Sequence, residues 1–303
     1  MELCTPTQLR AMADPEWLIE RLFPTGGLVE LYGAPGSGKS WIALDWAFHI
    51  ALGMPWQGLR TKQAPVVYIA AEGRGGLGPR VDTWLTTYRP SGEVPVYFSV
   101  RPCDLLGEGS QELLDTCAAF ISNPAEPETD LVPGLVILDT LARCFTGGDE
   151  NETADMARFV ASVDRLRHEL GATVLVVHHT GKDRSRDERG SNVLRAAADT
   201  MIRVKRQAAT PTMYRPEYRT PHSQPIRLSC SKQKDAAEFA DITLQLEPVG
   251  KSCVIASGFT VEQAVTVMLA DTTLVSVRAR ARRVAELTRL PVETCRNHLR
   301  SLA

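Results

Sequence analysis

The chain has 303 residues, 44% of them hydrophobic, and a formal net charge of -2 at pH 7. This length and composition allow one large domain and a small one, and the near-neutral charge argues against a protein that coats nucleic acid or a membrane with its whole surface. The seven cysteines include no Cys-x-x-Cys pair and the longest apolar runs are too short to cross a bilayer, so we expect no zinc site, no disulfide framework, no membrane contact and a cytoplasmic location.

The first 25 residues are expected to form an N-terminal arm. Residues 15–23 form a short amphipathic piece, which Pro24 ends. Its apolar side must be covered, and two partners remain open. It covers either the edge of the first strand of its own chain or the surface of a neighbouring subunit.

The motif Gly-x-x-x-x-Gly-Lys-Ser occupies residues 33–40, between a run at 27–32 that predicts a strand and a run at 41–52 that predicts a helix. Glycines let the loop point its N–H groups at phosphate oxygens, and the helix N-terminus adds to that attraction. Lys39 can reach the β- and γ-phosphates, and the Ser40 hydroxyl can ligate magnesium. We therefore predict a site for ATP and Mg²⁺. Its nucleotide-binding residues are Gly33, Ala34, Pro35, Gly36, Ser37, Gly38, Lys39, Ser40 and Trp41.

Short apolar runs alternate with helix-length segments after this phosphate loop. The runs are rich in β-branched residues, which is typical of strands buried on both faces of a parallel sheet. We therefore expect an α/β fold with a mostly parallel sheet and right-handed crossovers. The expected strands are 66–70, 94–100, 135–138 and 173–177, and the clearest helices are 111–121 and 152–170.

The pattern changes at residue 199. Strand-like pieces follow around a proline-rich loop, and we expect them to add antiparallel strands to the far edge of the sheet. These pieces are 200–206, 226–231, 242–246 and 253–256. The core domain is accordingly expected to cover residues 26–257.

Acidic side chains and histidines follow three of the expected strands. The carboxyl ends of parallel strands open onto the edge that holds the phosphate loop. Asp139 is expected to hold magnesium there through water. Glu72 is either a general base that polarises the attacking water or a solvent-facing acid. Of His178 and His179, only one is expected to approach the γ-phosphate, because neighbouring strand residues point to opposite faces.

Two lysines, Lys232 and Lys234, lie two residues apart on one side of an extended segment. A site with a phosphate loop, a metal and a base still lacks a cation for the charge of the transition state, and a neighbouring subunit can supply one. From spacing alone, an ordinary exposed Lys-x-Lys pair is the favoured interpretation. The polar stretch 182–192 predicts a loop that is either solvated or in contact with nucleic acid.

The tail, residues 258–303, is expected to be a separate helical domain. Residues 275–303 contain seven Arg and two Glu, so their net charge is +5. Residues 283–302 resemble the two helices of a helix-turn-helix, and Pro291 suits the first turn of the second helix. DNA and a protein partner both remain open as its ligand. The residues that would face a DNA groove are Arg296, Asn297 and Arg300.

Taken together, these motifs resemble the RecA-like ATPases, and among them the RepA-type hexameric helicases, with DnaB and KaiC as more distant relatives. The resemblance extends in order over roughly residues 15–250. The acid after the second strand, together with His-His-Thr and Arg-Gly-Ser, resembles the RepA-type group in particular. The matching sequences are Gly-Gly-Leu-Val-Glu-Leu-Tyr-Gly-Ala-Pro-Gly-Ser-Gly-Lys-Ser, Val-Val-Tyr-Ile-Ala-Ala-Glu-Gly, Leu-Val-Ile-Leu-Asp-Thr-Leu, Val-Val-His-His-Thr-Gly-Lys, Arg-Gly-Ser and Lys-Gln-Lys-Asp.

The resemblance implies a catalytic role for each matched residue. It implies a base, an acid on the magnesium side, a sensor of the γ-phosphate, and cations that reach across a subunit interface. The base is Glu72, the acid on the magnesium side is Asp139, which shares the metal with Ser40, and the sensor is His178 or His179. The cations that reach across the interface are Lys232, Lys234 or Arg206, whereas Lys39 binds the phosphates of its own subunit.

The resemblance further implies an ATP-dependent DNA helicase that translocates on single-stranded DNA in plasmid or phage replication. Its expected partners are identical subunits in a ring, expected to be a hexamer, and a primase or initiator. Two alternatives stay open: a RecA- or KaiC-like ATPase that acts as a recombination or regulatory switch without unwinding, and a nucleotide-gated adaptor that recruits replication partners. The basic residues expected to contact single-stranded DNA are Arg143, Lys182, Arg184 and Arg186.

Overall fold

The structure is a computed structural model that describes residues 4–10, 15–121, 132–180, 192–207, 225–256, 276, 279–280 and 282. The helices are α1 (Pro6–Arg10), α2 (Lys39–Leu52), α3 (Arg74–Tyr88), α4 (Gly109–Ile121), α5 (Thr153–Leu170) and α6 (Asn192–Ala197), with a 3-10 helix at Leu141–Cys144. The strands are β1 (Trp17–Ile19), β2 (Phe23–Pro24), β3 (Leu28–Gly33), β4 (Val66–Ala70), β5 (Val96–Ser99), β6 (Leu135–Asp139), β7 (Thr173–His179), β8 (Thr200–Arg206), β9 (Ile226–Gln233), β10 (Ile242–Val249) and β11 (Ser252–Ala256). Within these ranges, none of the helices has the length and apolar character that crossing a bilayer requires.

Nine strands form one sheet in the order β11-β10-β9-β8-β3-β7-β6-β4-β5. The strands from β8 to β5 in this order pair in parallel. The strands β9, β10 and β11 add antiparallel pairs on one side. The expected α/β fold with a mostly parallel sheet is therefore confirmed, and β3, which leads into the phosphate loop, lies in the middle of the sheet.

One strand departs from the expected pattern. The strand β8 was expected among the antiparallel additions, but it is parallel to β3, with Val29 opposite Thr200 and Tyr32 opposite Arg203. The connection from β7 to β8 contains α6, and such a crossover returns the chain to the amino ends of the parallel strands. The antiparallel region therefore begins only at β9.

Side-chain alternation divides the core into two layers. In β6, Leu135 and Ile137 face the layer that contains α2, whereas Val136 and Leu138 face the layer that contains α5. All residues of β6 are buried, as a strand covered on both faces requires. The first polar side chain of this strand is Asp139, and it emerges only at the carboxyl edge of the sheet.

The N-terminal stretch packs on its own chain. The strands β1 and β2 pair in antiparallel fashion. Leu18, Ile19, Leu22 and Phe23 are buried in the core layer that contains α2. The apolar side of residues 15–23 is thus covered within the same chain.

Asp199 connects three elements at the amino end of the sheet. Its Oδ2 accepts hydrogen bonds from the N–H of Leu28 at 2.8 Å and from Arg167 of α5 at 2.9 Å. Its Oδ1 accepts a hydrogen bond from Lys234, which follows β9, at 3.2 Å. One buried carboxylate therefore fixes the start of β3 relative to α5 and to the end of β9.

Candidate active site

The phosphate loop connects β3 to α2 and packs closely on two neighbouring strands. Gly38 has a φ of 107°, which side chains rarely allow, and a Cβ there would lie 2.5 Å from Cδ1 of Ile226 in β9. A Cβ on Gly33 would lie 2.3 Å from the carbonyl oxygen of Val204 in β8. Both positions therefore require glycine. The Ser37 hydroxyl is buried and has no hydrogen-bond partner among the described residues, so it suits a phosphate oxygen.

Lys39 folds back onto its own loop. Its ammonium group donates hydrogen bonds to the carbonyl oxygens of Gly33 at 2.8 Å and Ala34 at 3.0 Å, and to Nδ1 of His179 at 2.9 Å. Burial lowers the pKa of Lys39 to about 8, although two nearby carboxylates oppose that shift. Phosphate oxygens that replace the two carbonyl groups would favour the charged form of this lysine.

Asp139 lies at the end of β6 and is only 6% exposed. Its Oδ2 accepts a 2.6 Å hydrogen bond from Tyr68 of β4, whereas Oδ1 is buried and has no hydrogen-bond partner among the described residues. Burial raises the pKa of Asp139, and the hydroxyl groups of Tyr68 and Ser40 oppose that shift. An orphaned carboxylate oxygen near the Ser40 hydroxyl fits a magnesium ion.

The donor set limits how a metal could be held. Within the part of the chain that the structure describes, no group of three or more His, Cys, Asp or Glu side chains could hold a metal ion. Magnesium commonly takes one or two protein ligands and fills its other positions with waters and phosphate oxygens. The pair Ser40 and Asp139 matches that mode of binding and does not match a closed, all-protein metal site.

Glu72 lies at the same edge because β4 and β6 run in parallel register. Its Oε2 accepts a hydrogen bond from Nε of Arg143 at 3.4 Å, and its Oε1 lies 3.4 Å from Nε2 of His179. The glutamate side chain is 39% exposed, in contrast to the buried acid at the end of β6. Arg143, Glu72, His179 and Lys39 therefore form one continuous series of contacts across the edge.

The two histidines at the end of β7 point to opposite faces. Nδ1 of His178 lies 2.8 Å from Oε1 of the buried Glu30, and its Nε2 lies 3.9 Å from Glu150. His179 lies on the side of the phosphate loop, where burial and the charge of Lys39 lower its pKa. Its imidazole is therefore neutral near pH 7. The geometry favours His179 over His178 as the contact of a γ-phosphate.

Lys232 and Lys234 lie far from the phosphate loop of their own chain. The end of β9 pairs with the start of β8, which is at the opposite edge of the sheet. Lys232 donates hydrogen bonds to the carbonyl oxygens of Arg195 at 2.8 Å and Ala196 at 2.9 Å. Lys234 contacts Asp199. These lysines do not reach the nucleotide site of their own subunit, and the role expected for them across an interface stays a prediction.

Arg206 lies at the other end of β8, beside the phosphate loop. Its Nε donates a 2.8 Å hydrogen bond to the carbonyl oxygen of Gly36. This arginine therefore supports the loop of its own chain in the described structure. The role expected for Arg206 in a neighbouring subunit stays a prediction, and it would require this contact to break.

The sequence does not predict two residues of the site, Tyr68 and Arg80. The guanidinium carbon of Arg80 in α3 lies 4.0 Å from the ring centroid of Trp41, the last residue of the predicted nucleotide site. The charge of Arg80 also opposes the effect of burial on the pKa of Asp139. Alternation along β4 predicts that Tyr68 is buried, but no sequence pattern predicts that Arg80 of α3 packs on the ring of Trp41.

The other expected nucleic-acid contacts lie outside the described residues, together with nearly all of the expected domain 258–303. Arg143 is described, and it is exposed beside Glu72. The contacts that stay predictions without a described position are Lys182, Arg184, Arg186, Arg296, Asn297 and Arg300.

Comparisons with known proteins give a family match and a distant structural similarity. A family model described as an AAA domain matches residues 9–185, more than half of the chain, and that range contains the phosphate loop and both carboxylates. Among solved structures, a KaiC-like protein from the hyperthermophilic archaeon Pyrococcus horikoshii OT3 is similar over 80% of this chain and 95% of its own, with a TM-score of 0.49 and 14% sequence identity. A search of curated protein sequences finds no match.

Proposed function

The chain belongs to the AAA domain family, and we propose that it is a RecA-like P-loop ATPase that hydrolyses ATP at the carboxyl edge of the sheet, where β3 ends. We further propose that hydrolysis drives translocation on single-stranded DNA, in a ring of the RepA-like hexameric helicase type that serves plasmid or phage replication. One observation carries the proposal for the site, namely the convergence of four side chains at this edge. They are Lys39, Glu72, Asp139 and His179.

In this proposal, the triphosphate binds in the glycine-rich loop at the N-terminus of α2. Its β- and γ-phosphates draw the ammonium group of Lys39 away from the carbonyl groups of its own loop. Ser40 and Asp139 hold magnesium, which neutralises charge on the phosphate oxygens when it is bound. The orphaned Oδ1 of Asp139 supports this assignment.

Glu72 acts as the general base. The attacking water gives a proton to its carboxylate as the oxygen of that water bonds to the γ-phosphorus, and the bond to the bridging oxygen breaks to give ADP and inorganic phosphate. His179 contacts both Lys39 and Glu72, so it responds when a γ-phosphate takes the lysine. The exposure of Glu72 supports this role, since the attacking water must reach it.

Lys232 and Lys234 are proposed to serve the nucleotide of a neighbouring subunit. Their position at the opposite edge from the phosphate loop supports a head-to-tail ring, in which one edge of a subunit meets the other edge of the next. Hydrolysis then depends on assembly. The proposed primase or initiator partner follows from the resemblance, and the proposed cytoplasmic location follows from the cysteine pattern and the short apolar runs of the sequence.

The first experiment measures ATP hydrolysis by the wild-type chain and the Lys39→Ala variant. We expect turnover to fall roughly 100-fold or more, because the variant removes the cation that contacts the transferred phosphoryl group. Lys62→Ala is the matched control, since Lys62 is an exposed lysine paired with Glu16 away from the site. Equal turnover in the wild type and Lys39→Ala would contradict the proposed site.

The second experiment separates a motor from a switch and from an adaptor. A helicase displaces a labelled strand from a partly single-stranded duplex when ATP is present. ATP hydrolysis that single-stranded DNA does not affect, without strand displacement, would indicate a regulatory or recombination switch. Nucleotide binding without turnover would indicate an adaptor.

A further inference from the structure

The proposed base, Glu72, contacts Arg143, and the proposed binding of the nucleotide gives this arginine no role. Nε of Arg143 lies 3.4 Å from Oε2 of Glu72, and the two side chains are 61% and 39% exposed. A charge-assisted hydrogen bond usually measures about 2.7–2.9 Å, so this contact is long. Exposed ion pairs are also weak. A competing anion can therefore separate Arg143 from Glu72.

The backbone that carries Arg143 is anchored close to the site. Leu141 and Cys144 in the same 3-10 helix are fully buried. The N–H of Arg143 donates a 3.0 Å hydrogen bond to the carbonyl oxygen of Thr140, the residue after Asp139. A ligand of Arg143 would therefore move its side chain and leave the end of β6 in place.

Both oxygens of the Glu72 carboxylate are engaged in this state. Oε1 lies 3.4 Å from Nε2 of His179, whose Nδ1 accepts a hydrogen bond from Lys39. A phosphate that draws Lys39 away from His179 would change the contact between His179 and Oε1 of Glu72. The contact with Arg143 lies on the other carboxylate oxygen, so its release requires a second ligand.

We propose that Arg143 is a clamp on Glu72 that a phosphodiester group of a single-stranded nucleic acid releases. The clamp rests on the proposed hydrolysis of ATP and explains how that hydrolysis is activated. A guanidinium group binds phosphate through two parallel hydrogen bonds, which compete well with one long contact to a carboxylate. Arg143 exchanges the carboxylate for the phosphodiester, and no covalent bond changes. The released oxygen of Glu72 can then accept the proton of the attacking water.

The test compares the full-length wild type with Arg143→Ala in steady-state ATP hydrolysis, with and without an oligothymidylate. Without the oligonucleotide, we expect the kcat of Arg143→Ala to be about three- to fivefold above the wild-type value, the factor that an exposed ion pair can supply. Its KM for ATP should not change, and the oligonucleotide should no longer raise its rate. The matched control is Arg60→Ala, which breaks an exposed arginine–glutamate pair with Glu20 outside the site and should keep both wild-type rates.

Several outcomes overturn the clamp. A basal kcat of Arg143→Ala at or below the wild-type value would mean that Arg143 only binds nucleic acid or only supports the fold. Stimulation of Arg143→Ala by the oligonucleotide would mean that another contact restrains the base. A wild-type rate that the oligonucleotide leaves unchanged would remove the phosphodiester as the ligand. A wild type without any turnover would instead reject the proposed hydrolysis itself, and that result is distinct from the others.

Discussion

At the scale of single residues, the two acids of the proposed site have different surroundings, and we propose a different task for each. Asp139 is buried, accepts a hydrogen bond from Tyr68 and keeps one oxygen unpaired, so its position is fixed. Glu72 is partly exposed and makes only long contacts, so its carboxylate can turn towards a water once those contacts are released. A fixed acid suits a metal, whereas an acid that can be reoriented suits proton transfer.

Glu72→Gln should separate chemistry from binding. The amide cannot take a proton from water, so we expect kcat to fall roughly 10²- to 10⁴-fold, while the affinity for a nonhydrolysable ATP analogue stays within about twofold. Single-turnover hydrolysis and calorimetric titration measure the two quantities. Glu20→Gln is the control, because Glu20 is a partly exposed acid that pairs with Arg60 instead. Loss of analogue binding in Glu72→Gln would show that Glu72 serves binding rather than proton transfer.

The lowered pKa of Lys39 should make nucleotide binding dependent on pH. Burial lowers this pKa to about 8 in the nucleotide-free site. A phosphate needs the charged lysine, so affinity is retained below pH 8 and decreases as the pH rises through that value. If the bound lysine stays charged, the Kd of an ATP analogue should increase about tenfold between pH 7 and pH 9.

The control for this pH dependence is Lys39→Met, whose weak binding should change little over the same range. A wild-type Kd that stays constant up to pH 9 would show that the lysine keeps its charge in the empty site.

At the scale of secondary-structure elements, β4 and α3 show what the sequence can and cannot predict. The bounds of β4 follow from a run of apolar residues between Pro65 and Glu72, half of which are β-branched. The helix α3 contains Gly75, Gly76, Gly78 and Pro79, which lower helix propensity, so its bounds cannot be predicted from local pattern. Packing of its later residues on the core overrides that preference.

The same limit applies to the site. The ends of the predicted strands place both acids and one histidine at the same edge of the sheet, because the carboxyl ends of parallel strands meet at one edge. The contact between Trp41 and Arg80 could not be predicted, because Arg80 lies in α3, a helix whose glycines and proline lower its helix propensity. The choice between His178 and His179 also required the structure, since alternation says only that they differ and not which face holds the loop.

Asp199→Ala should test how three elements are held together. The change leaves Arg167 without one of its carboxylate partners and the N–H of Leu28 without its acceptor, so we expect a loss of about 3 kcal/mol in the free energy of unfolding. Urea denaturation followed by circular dichroism measures it. Asp241→Ala is the control, because Asp241 pairs with Arg227 at the surface and should cost less than about 1 kcal/mol. Similar losses in both variants would contradict the structural role of Asp199.

At the scale of the whole molecule, the two edges of the sheet carry different chemistry. The carboxyl edge holds the phosphate loop with its acids, and the opposite edge holds Lys232 and Lys234. A single subunit therefore lacks these two lysines at its own nucleotide. The proposed ring supplies them from the next subunit.

Assembly should consequently control turnover. We expect the ATP hydrolysis rate per subunit to increase with protein concentration until the ring is populated, and then to stay constant. Light scattering at the same concentrations measures assembly independently. A rate per subunit that stays constant while the particle mass changes would show that each subunit completes its own site.

The close packing of Ile226 against Gly38 has a consequence for communication between subunits. Ile226 begins β9, and Lys232 lies six residues later, about 20 Å away at the usual rise of a strand. In the proposed head-to-tail ring, one end of β9 would thus lie against the phosphate loop of its own subunit and the other end beside the nucleotide of the next subunit. A change in the phosphate loop when one γ-phosphate leaves would then reach the neighbouring site through a single strand.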